Sequence, residues 1–259
     1  MYHRVYKYYP FNEYTIEAFQ QSYLVLSCPL DFNDPFDCQI RMDVSQVTKD
    51  AYLGIDQILE EDFTAEASIS KSKREESYYR QVIHKLIEQL RVTCFSEDNA
   101  NTLMWSHYAD NHKGFCLEFE YPIEEQTLFS YLSPVYYTKD YPCLVLPSFQ
   151  DDFMPSQQYE EIINKFVLTK DKVWEYEKEQ RIVFTNLIGI EIPDKRKNKI
   201  YYPEVAVSKI FFGCNCNTEN KNTLIQLCKK RQRLPEVYQL VTKKTGFGYD
   251  LLSYQYDIM

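Results

Sequence analysis

Apolar and polar residues alternate along several short stretches of the chain, and a two-residue period predicts β-strands. The first such stretch is 2–8 (YHRVYKY), and 91–96 (RVTCFS) and 114–121 (GFCLEFEY) follow it. The segment 204–213 (EVAVSKIFFG) is rich in β-branched and aromatic residues, and we expect a strand there as well. The segment 174–184 (WEYEKEQRIVF) alternates throughout, so it is also predicted to be a strand despite its good helix formers.

Apolar residues that recur every three or four positions predict helices in other segments. Asn12 can cap a helix that begins directly after it. Two helices are predicted within 47–90, and others over about 159–167 and 218–231. Because strands and helices are interspersed without a regular βαβ rhythm, we predict an α+β fold. We expect a single mixed domain over 1–259, with a mostly antiparallel sheet that can be split and a helical insertion around 47–90.

The composition excludes several classes of protein. The 259 residues are 44% hydrophobic and 26% charged, and they include 23 Tyr, 16 Phe and 2 Trp but only 6 Gly and 11 Pro. Such a chain can bury a sizeable core, which excludes collagen-like and disordered proteins. No stretch approaches the ~20 apolar residues that cross a bilayer, and the start of the chain lacks the apolar segment of a signal peptide. We expect a soluble cytoplasmic protein whose cysteines are reduced.

Common nucleotide-binding and zinc-binding motifs are missing from the sequence. It contains no P-loop, no GxGxxG fingerprint and no HExxH motif. Any nucleotide must therefore bind without a glycine-rich phosphate loop. The net charge of −9 argues against a non-specific nucleic-acid binder, although residues 170–244 carry 16 Lys and Arg against 9 Asp and Glu.

The segment FNDPF at 32–36 is a candidate binding turn. Asn33 and Asp34 precede a proline, and their side chains can brace a turn whose exit the proline fixes. The alternative is a purely structural turn, clamped into the core by Phe32 and Phe36. Both interpretations stay open from the sequence alone.

The segment MWSHYADNHKG at 104–114 concentrates aromatic and hydrogen-bonding groups in a loop and a short helical turn. Trp105 and Tyr108 lie about one turn apart and can stack on a planar ring. Ser106 and His107 offer a hydroxyl and an imidazole beside them. The alternative is that the two rings are core anchors. Such a density of polar groups in a connection favours a functional role.

The segment WEYEKEQR at 174–181 carries a row of charges. On a strand, Glu175, Glu177, Glu179 and Arg181 share one face. Carboxylates placed together repel one another unless they are solvated or paired, and an edge strand with salt bridges is the structural interpretation. The functional interpretation is a carboxylate that stabilises an oxocarbenium-like transition state, with Arg181 to position it.

These motifs occur in a recognisable order: YKY, FNDPF, CFSE, MWSHYADNHKG, WEYEKEQR and IFFG. The pattern resembles the bacterial family catalogued as domain of unknown function 2971, over about residues 6–213. The family segment usually reads YKYR, whereas Tyr9 follows Tyr8 here. Because that family is named for lacking a settled function, the resemblance implies a fold more than an activity.

A weaker similarity is to the ADP-ribosyltransferase superfamily. That superfamily shows a basic or His residue in an early strand, a Ser or Tyr in a middle element, and a late Glu, often as Glu-x-Glu. The matching residues here are His3 or Lys7, Ser106 with Tyr108, and Glu177 with Glu179. The resemblance implies an ADP-ribosyltransferase-like fold.

The resemblance also implies an enzyme that consumes NAD as its substrate, by ADP-ribose transfer to a macromolecule or by NAD hydrolysis, as bacterial toxins and anti-phage effectors do. The implied catalytic residues are Glu179, Glu177 as its helper, Tyr108, Ser106 and His107. The implied NAD-binding residues are Lys7, Asn33, Asp34, Trp105 and Arg181. No metal is expected, and the acceptor, a protein or a nucleic acid, stays open together with the oligomeric state.

Two alternatives belong to other functional classes. A metal-dependent nuclease or phosphoesterase would use His107, Asp110 and His112 with the late carboxylates as metal ligands, and the basic segments 195–199 and 229–233 to hold phosphate. A non-catalytic sensor or protein-binding module would use an aromatic surface, rich in Tyr, to recognise a partner.

Overall fold

The computed structural model describes residues 2–39, 41–43, 81, 84–85, 87–145, 165–184 and 198–254. The strands of this part of the chain are β1 (Tyr2–Tyr9), β2 (Tyr23–Val25), β3 (Arg41–Asp43), β4 (Arg91–Ser96), β5 (Phe115–Pro122), β6 (Ser133–Pro134), β7 (Tyr136–Thr138), β8 (Cys143–Val145), β9 (Thr169–Asp171), β10 (Glu179–Phe184), β11 (Lys199–Tyr201), β12 (Val207–Phe212), β13 (Glu236–Thr242) and β14 (Tyr249–Ser253). The α-helices are α1 (Glu13–Gln21), α2 (Thr102–Tyr108) and α3 (Thr218–Cys228), and 3₁₀ turns occupy Pro29–Asp31, Leu128–Tyr131, Lys172–Glu177 and Glu204–Ala206.

The largest sheet has the strand order β14-β13-β12-β5-β1-β4-β10-β6. Its neighbouring strands are antiparallel, except that β12 and β13 are parallel. Shorter pairs form separate small sheets, namely β2 with β11, β3 with β8 and β7 with β9. The prediction of an α+β fold with a mostly antiparallel sheet is therefore confirmed.

The large sheet consists of two ladders that meet at one point. β1 pairs with β5 at eight consecutive positions, and β10 pairs with β4 at six. Between these ladders β1 and β4 share a single register pair, Tyr6 with Ser96. Since a continuous ladder would pair every residue along the two strands, the sheet is split at this junction.

Aromatic side chains fill the core on both faces of the large sheet. On one face, Phe19 of α1 and Leu224 of α3 belong to a cluster with Phe119 of β5. On the other face, Trp105 of α2 belongs to a second cluster with Phe211 of β12. Full burial of each such side chain contributes about 1.5–3 kcal/mol, so the buried phenylalanines are a main source of core stability.

Most of the predicted elements are confirmed with small shifts at their ends. The strands expected at 2–8, 91–96, 114–121 and 204–213 are β1, β4, β5 and β12, and the helix expected over 218–231 is α3. Asn12 caps α1, because its side-chain oxygen accepts a hydrogen bond from the Thr15 amide at 2.9 Å.

The strand predicted over 174–184 is wrong in its first half. Residues Lys172–Glu177 form a 3₁₀ turn, and only Glu179–Phe184 is extended. Asp171 starts the turn by accepting from the Val173 amide at 2.9 Å, and Lys178 ends it with φ of 45°. Capping by Asp171 overrode the alternation that predicted a strand.

Parts of two other predictions lie outside the described residues. Of the helices predicted within 47–90, the structure describes helical residues only at 81, 84, 85, 87 and 88. Of the helix predicted over about 159–167, it describes helical residues at 165 and 166.

The eight cysteines are free thiols, as expected for a chain whose cysteines are reduced. Four of them are buried, where a thiol behaves as a small apolar group. Among the described residues, no helix has both the length and the apolar character needed to cross a membrane.

Candidate functional site

A cavity of about 170 Å³ lies at the junction of β1 and β4. Its aromatic and apolar lining consists of Tyr6, Tyr8, Phe32, Phe95, Met104 and Tyr108. Its polar and charged lining consists of Lys7, Asn33, Asp37, Cys94, Ser96, Lys170, Glu177, Glu179 and Arg181. Pockets that join rings with a few convergent charged groups are typical of ligand-binding sites.

Arg181, on β10, is fully buried and uses all five of its N–H groups inside the protein. Nε and Nη2 donate to the two oxygens of Glu179 at 2.8 and 2.9 Å. Nη1 and Nη2 donate to the two oxygens of Asp37 at 3.0 and 2.6 Å, and Nη1 also donates to the Val167 carbonyl. No N–H is left for a ligand. The predicted NAD-binding role of Arg181 is therefore not supported by these contacts, although the residue lines the cavity, and its hydrogen bonds position two carboxylates.

Lys170, on β9, places its ammonium among three carboxylates. Nζ lies 2.6 Å from Oε2 of Glu177, 3.2 Å from Oδ2 of Asp37 and 3.3 Å from Oε2 of Glu179. All four side chains are buried. Since an unpaired charge is costly inside a protein, Lys170 and Arg181 together compensate the three carboxylates.

Glu177 is bound at both of its oxygens. Oε2 accepts from Lys170, and Oε1 accepts from the Tyr108 hydroxyl at 2.6 Å. Asn33 lines the same cavity as Tyr108. The Ser96 hydroxyl donates to the Glu177 carbonyl at 2.6 Å. The structure thus brings together Asn33, Tyr108 and Glu177, which the sequence analysis proposed from three separate segments.

The two glutamates of the site differ in their protonation behaviour. Burial alone would raise the pKa of Glu179, but the charges of Arg181 and Lys170 outweigh burial and hold this pKa at about 2. Burial raises the pKa of Glu177 above its usual value, and Lys170 only partly opposes the rise. Glu179 is therefore an ionised carboxylate at neutral pH, whereas Glu177 is the carboxylate more ready to accept a proton.

Lys7, on β1, is the cation of the cavity that has no carboxylate within ion-pair distance among the described residues, although it feels the charge of Glu179. Its Nζ donates to the Cys94 carbonyl at 2.7 Å and to the Thr93 hydroxyl at 3.2 Å. Burial lowers the pKa of Lys7. An ammonium has three N–H groups, so one remains for a ligand. The other early basic residue, His3, is exposed, and its ring stacks on Tyr121 outside the cavity lining.

Trp105 does not line the cavity, although Tyr108 on the same helix does. Its side chain is fully buried, its indole N–H donates to the Asn99 carbonyl at 2.7 Å, and its ring meets Tyr8 edge to face at 5.2 Å. Because the side chain is fully buried, its position does not support the prediction that Trp105 stacks on a planar ring of NAD. It is a core anchor.

The rest of the motif after α2 forms a tight turn. Asp110, Asn111 and His112 all have positive φ, of 46°, 52° and 66°. The His112 carbonyl accepts from the Asn215 amide at 3.0 Å, and the backbone passes so close to Gly213 that a Cβ there would lie 2.1 Å from the His112 oxygen. The backbone of the ADNHKG segment therefore packs directly against the backbone at the glycine of IFFG.

Ser106 and His107 are not brought to the cavity lining. His107 is exposed, with its ring 6.3 Å from that of Trp174, and Ser106 is partly exposed on the same helix. His112 contacts the Tyr249 hydroxyl through Nδ1 at 2.8 Å and lies outside the cavity lining. Within the described part of the chain, no group of three or more His, Cys, Asp or Glu is arranged to hold a metal ion.

The FNDPF turn has a mixed role. Asn33 reaches the cavity, whereas Asp34 is buried outside its lining and braces the turn by accepting from the Phe36 amide at 2.9 Å. The predicted NAD-binding role of Asp34 is therefore not supported by its position. The turn instead delivers Asp37, the next carboxylate along the chain, to Arg181 and Lys170.

Three residues of the site were missed by the sequence analysis. Asp37 directly follows the FNDPF motif, and Ser96 is part of CFSE, so both had a signal in the quoted motifs. Lys170 lies outside every motif, and no pattern around it indicated a role. Its importance depends on β9 pairing with β7, which places it beside the carboxylates.

The family described as "Protein of unknown function (DUF2971)" matches this chain over residues 104–182. The motifs MWSHYADNHKG and WEYEKEQR both lie inside that span, so the match supports the resemblance to this family of unknown function. Neither the curated proteins nor the solved structures include a match to the chain.

Proposed function

We propose that this protein consumes NAD, cleaving the bond between nicotinamide and ribose and passing ADP-ribose to a macromolecule or to water. The observation that carries the proposal is the meeting of Lys7, Tyr108, Glu177 and Glu179 at one cavity. These residues come from β1, α2 and the segment before and within β10. They are the early basic residue, the middle Tyr and the late Glu-x-Glu of the ADP-ribosyltransferase resemblance.

The electrostatics of the cavity suit this reaction. When the glycosidic bond breaks, its electron pair leaves with nicotinamide and the ribose becomes an oxocarbenium cation. An ionised carboxylate at the wall, Glu179, stabilises that cation. Glu177, whose pKa is raised by burial, accepts the proton of the attacking water or acceptor group. Three carboxylates face two cations in the ion-paired cluster, and the negative excess favours a cationic transition state.

The shape of the cavity suits one end of the dinucleotide. A volume of about 170 Å³ is below the roughly 300–1,000 Å³ of pockets that enclose whole ligands. We therefore expect the nicotinamide riboside end to bind inside, between the rings of Tyr108 and Phe32, and the remainder to extend outwards past Lys7. The split between β1 and β4 agrees with the split sheet anticipated for an ADP-ribosyltransferase-like fold.

The test is release of nicotinamide from NAD by the purified full chain, with and without cell lysate as a source of acceptor. Wild type should release nicotinamide, and Glu179→Gln should lower the rate by more than about 100-fold while the fold is retained. Glu175→Gln is the matched control. Glu175 lies four residues before Glu179 in the same charged segment, but it is exposed and outside the cavity lining, so its variant should keep the wild-type rate.

Two outcomes would overturn the proposal. One is equal nicotinamide release by wild type and folded Glu179→Gln. The other is an absence of NAD turnover under all of these conditions, with phosphodiester cleavage appearing once a divalent metal and nucleic acid are supplied. That second result would favour the nuclease alternative.

A further inference from the structure

The ammonium of Lys170 has a distinctive contact within the charged cluster. Glu179 and Asp37 are both already bound through two oxygens by Arg181. Glu177 has no arginine partner, and its ion pair with Lys170 is the shortest that this ammonium makes, at 2.6 Å. Lys170 is therefore an additional partner for two carboxylates but the sole cation within ion-pair distance of Glu177 among the described residues.

The position of Lys170 is fixed from several sides. β9 pairs with β7 so that Lys170 lies opposite Tyr137, and the Tyr137 hydroxyl accepts from the Glu179 amide at 2.8 Å. The ring of Trp174 lies 5.0 Å from Nζ. An ammonium has three N–H groups, and three carboxylates lie around this one. Its donors are used inside the protein, so Lys170 does not itself serve the ligand.

We propose that Lys170 is a positioning residue, which anchors Oε2 of Glu177 so that Oε1 and the Tyr108 hydroxyl form the proton-transfer pair of the cavity. This role rests on the proposed NAD-consuming function. One oxygen of the Glu177 carboxylate accepts from Lys170 inside the protein, and the other accepts from Tyr108, which lines the cavity. Neither the 3₁₀ turn that carries Glu177 nor its backbone contact with Ser96 orients the carboxylate in this way.

Loss of the ammonium should change how Glu177 titrates. The groups that face its carboxylate are Tyr108 from α2, Lys170 from β9, Glu179 from β10, Asp37 from the turn after Pro29–Asp31, Tyr137 from β7 and Tyr176 from its own turn. Lys170 is the cation among them that favours the ionised form of Glu177. Without it, only the hydrogen bond from Tyr108 still favours the ionised form against burial and the negative Glu179, so a proton should bind Glu177 at higher pH.

The experiment compares Lys170→Met and Lys170→Arg with the control Lys172→Met. Lys172 is an exposed lysine two residues away whose partner, Glu175, lies at 3.9 Å on the surface. The midpoint of Glu177 protonation is measured from its ¹³Cδ NMR signal, and the pH profile of NAD turnover is recorded in parallel. Lys170→Met should raise the midpoint by about one pH unit or more and lower the turnover rate about 10- to 100-fold. Lys170→Arg should restore part of both, and Lys172→Met should change neither.

A measurement on wild type keeps the test decisive if Lys170→Met fails to fold. The ¹⁵Nζ signal of Lys170 should shift with the same midpoint as the ¹³Cδ signal of Glu177, because the two groups share a proton-sensitive ion pair. A flat Lys170 signal through that titration would overturn the proposal, as would an unchanged Glu177 midpoint in folded Lys170→Met. These NMR signals do not depend on NAD turnover. If wild type shows the coupled titration but leaves NAD intact, the proposed function fails while the ion pair of Lys170 with Glu177 stands.

Discussion

Two segments of the chain hold their side chains in place by different means. In 104–114 the large groups are fixed by packing and by the backbone: Trp105 is enclosed by the core, and the turn after α2 is pressed against Gly213. In 170–181 the ion-paired side chains of the cavity are also buried, but they are fixed by charge. Glu177 and Glu179 are held by Lys170 and Arg181. Tyr108 joins the two segments by a hydrogen bond to Glu177.

The difference shows what burial requires of each residue type. Burial of an aromatic ring is itself stabilising, and only the indole N–H of Trp or the hydroxyl of Tyr needs a hydrogen-bond partner. A buried carboxylate loses its hydration and stays charged only when cations and donors replace the water. The packed segment is therefore held by apolar burial, whereas the charged segment keeps Glu179 ionised although it is buried, because cations and donors replace the lost water. Such perturbed groups in a cleft indicate a functional site.

The packed segment should be most sensitive to a single methyl group. In Gly213→Ala the new Cβ would lie 2.1 Å from the His112 oxygen, a backbone atom that cannot turn aside. We expect a loss of more than about 3 kcal/mol in the free energy of unfolding, measured in urea. Gly246→Ala is the matched control, because no atom lies within 4 Å of its added Cβ, and it should change stability by less than about 0.5 kcal/mol.

The same variant separates the two segments functionally. Gly213 lies outside the cavity lining, so folded Gly213→Ala, assayed well below its unfolding temperature, should consume NAD at close to the wild-type rate. A specific loss of turnover in the folded protein would show that the turn after α2 belongs to the site. The packed and charged segments would then not be functionally separate.

The charged segment should instead be sensitive to acid. The pKa of Glu179 is about 2 in the folded protein against a usual 4.5, so folding favours its ionised form. Its contribution to stability is fully present above about pH 5 and is lost as the pH falls towards 2. A displacement of this size corresponds to roughly 3 kcal/mol of unfolding free energy over that window.

Urea unfolding at several pH values would measure this loss. Glu179→Gln should be less stable than wild type near neutral pH, but its stability should fall less steeply between pH 5 and 2. Glu175→Gln should keep the wild-type slope, because Glu175 is exposed. Identical slopes for wild type and Glu179→Gln would mean that the ion pairs of Glu179 do not hold its charge.

Local patterns in the sequence were sufficient for the elements but not for the site. Alternation identified β1, β4, β5 and β12, since one face of each strand meets the core. It failed at Lys172–Glu177, where a cap at Asp171 determines a turn that has no periodic signal. When only the hydrophobic pattern is considered, the alternating residues hide a side-chain cap of this kind.

The candidate site was partly predictable because several of its residues belong to motifs. Tyr108, Glu177 and Glu179 came from the motifs, and the structure places them at one cavity. Lys170 could not be found in this way, because it lies outside the motifs and its pair with Asp37, which directly follows FNDPF, joins segments more than 130 residues apart in sequence. Trp105 was assigned to the ligand because a dense motif does not reveal which of its rings faces the core.

The smallest expected effects come from two adjacent residues of α2, and they define the boundary between the segments. His107→Ala removes an exposed ring that lies outside the cavity lining, so stability should change by less than about 0.5 kcal/mol and NAD turnover by less than about twofold. Tyr108→Phe removes the hydroxyl that donates to Glu177 at 2.6 Å. It should cost about 1 kcal/mol of stability and slow turnover about tenfold, because Glu177 loses its partner on the cavity side. Urea unfolding and nicotinamide release measure both variants, and equal effects on turnover would place the boundary of the site elsewhere on α2.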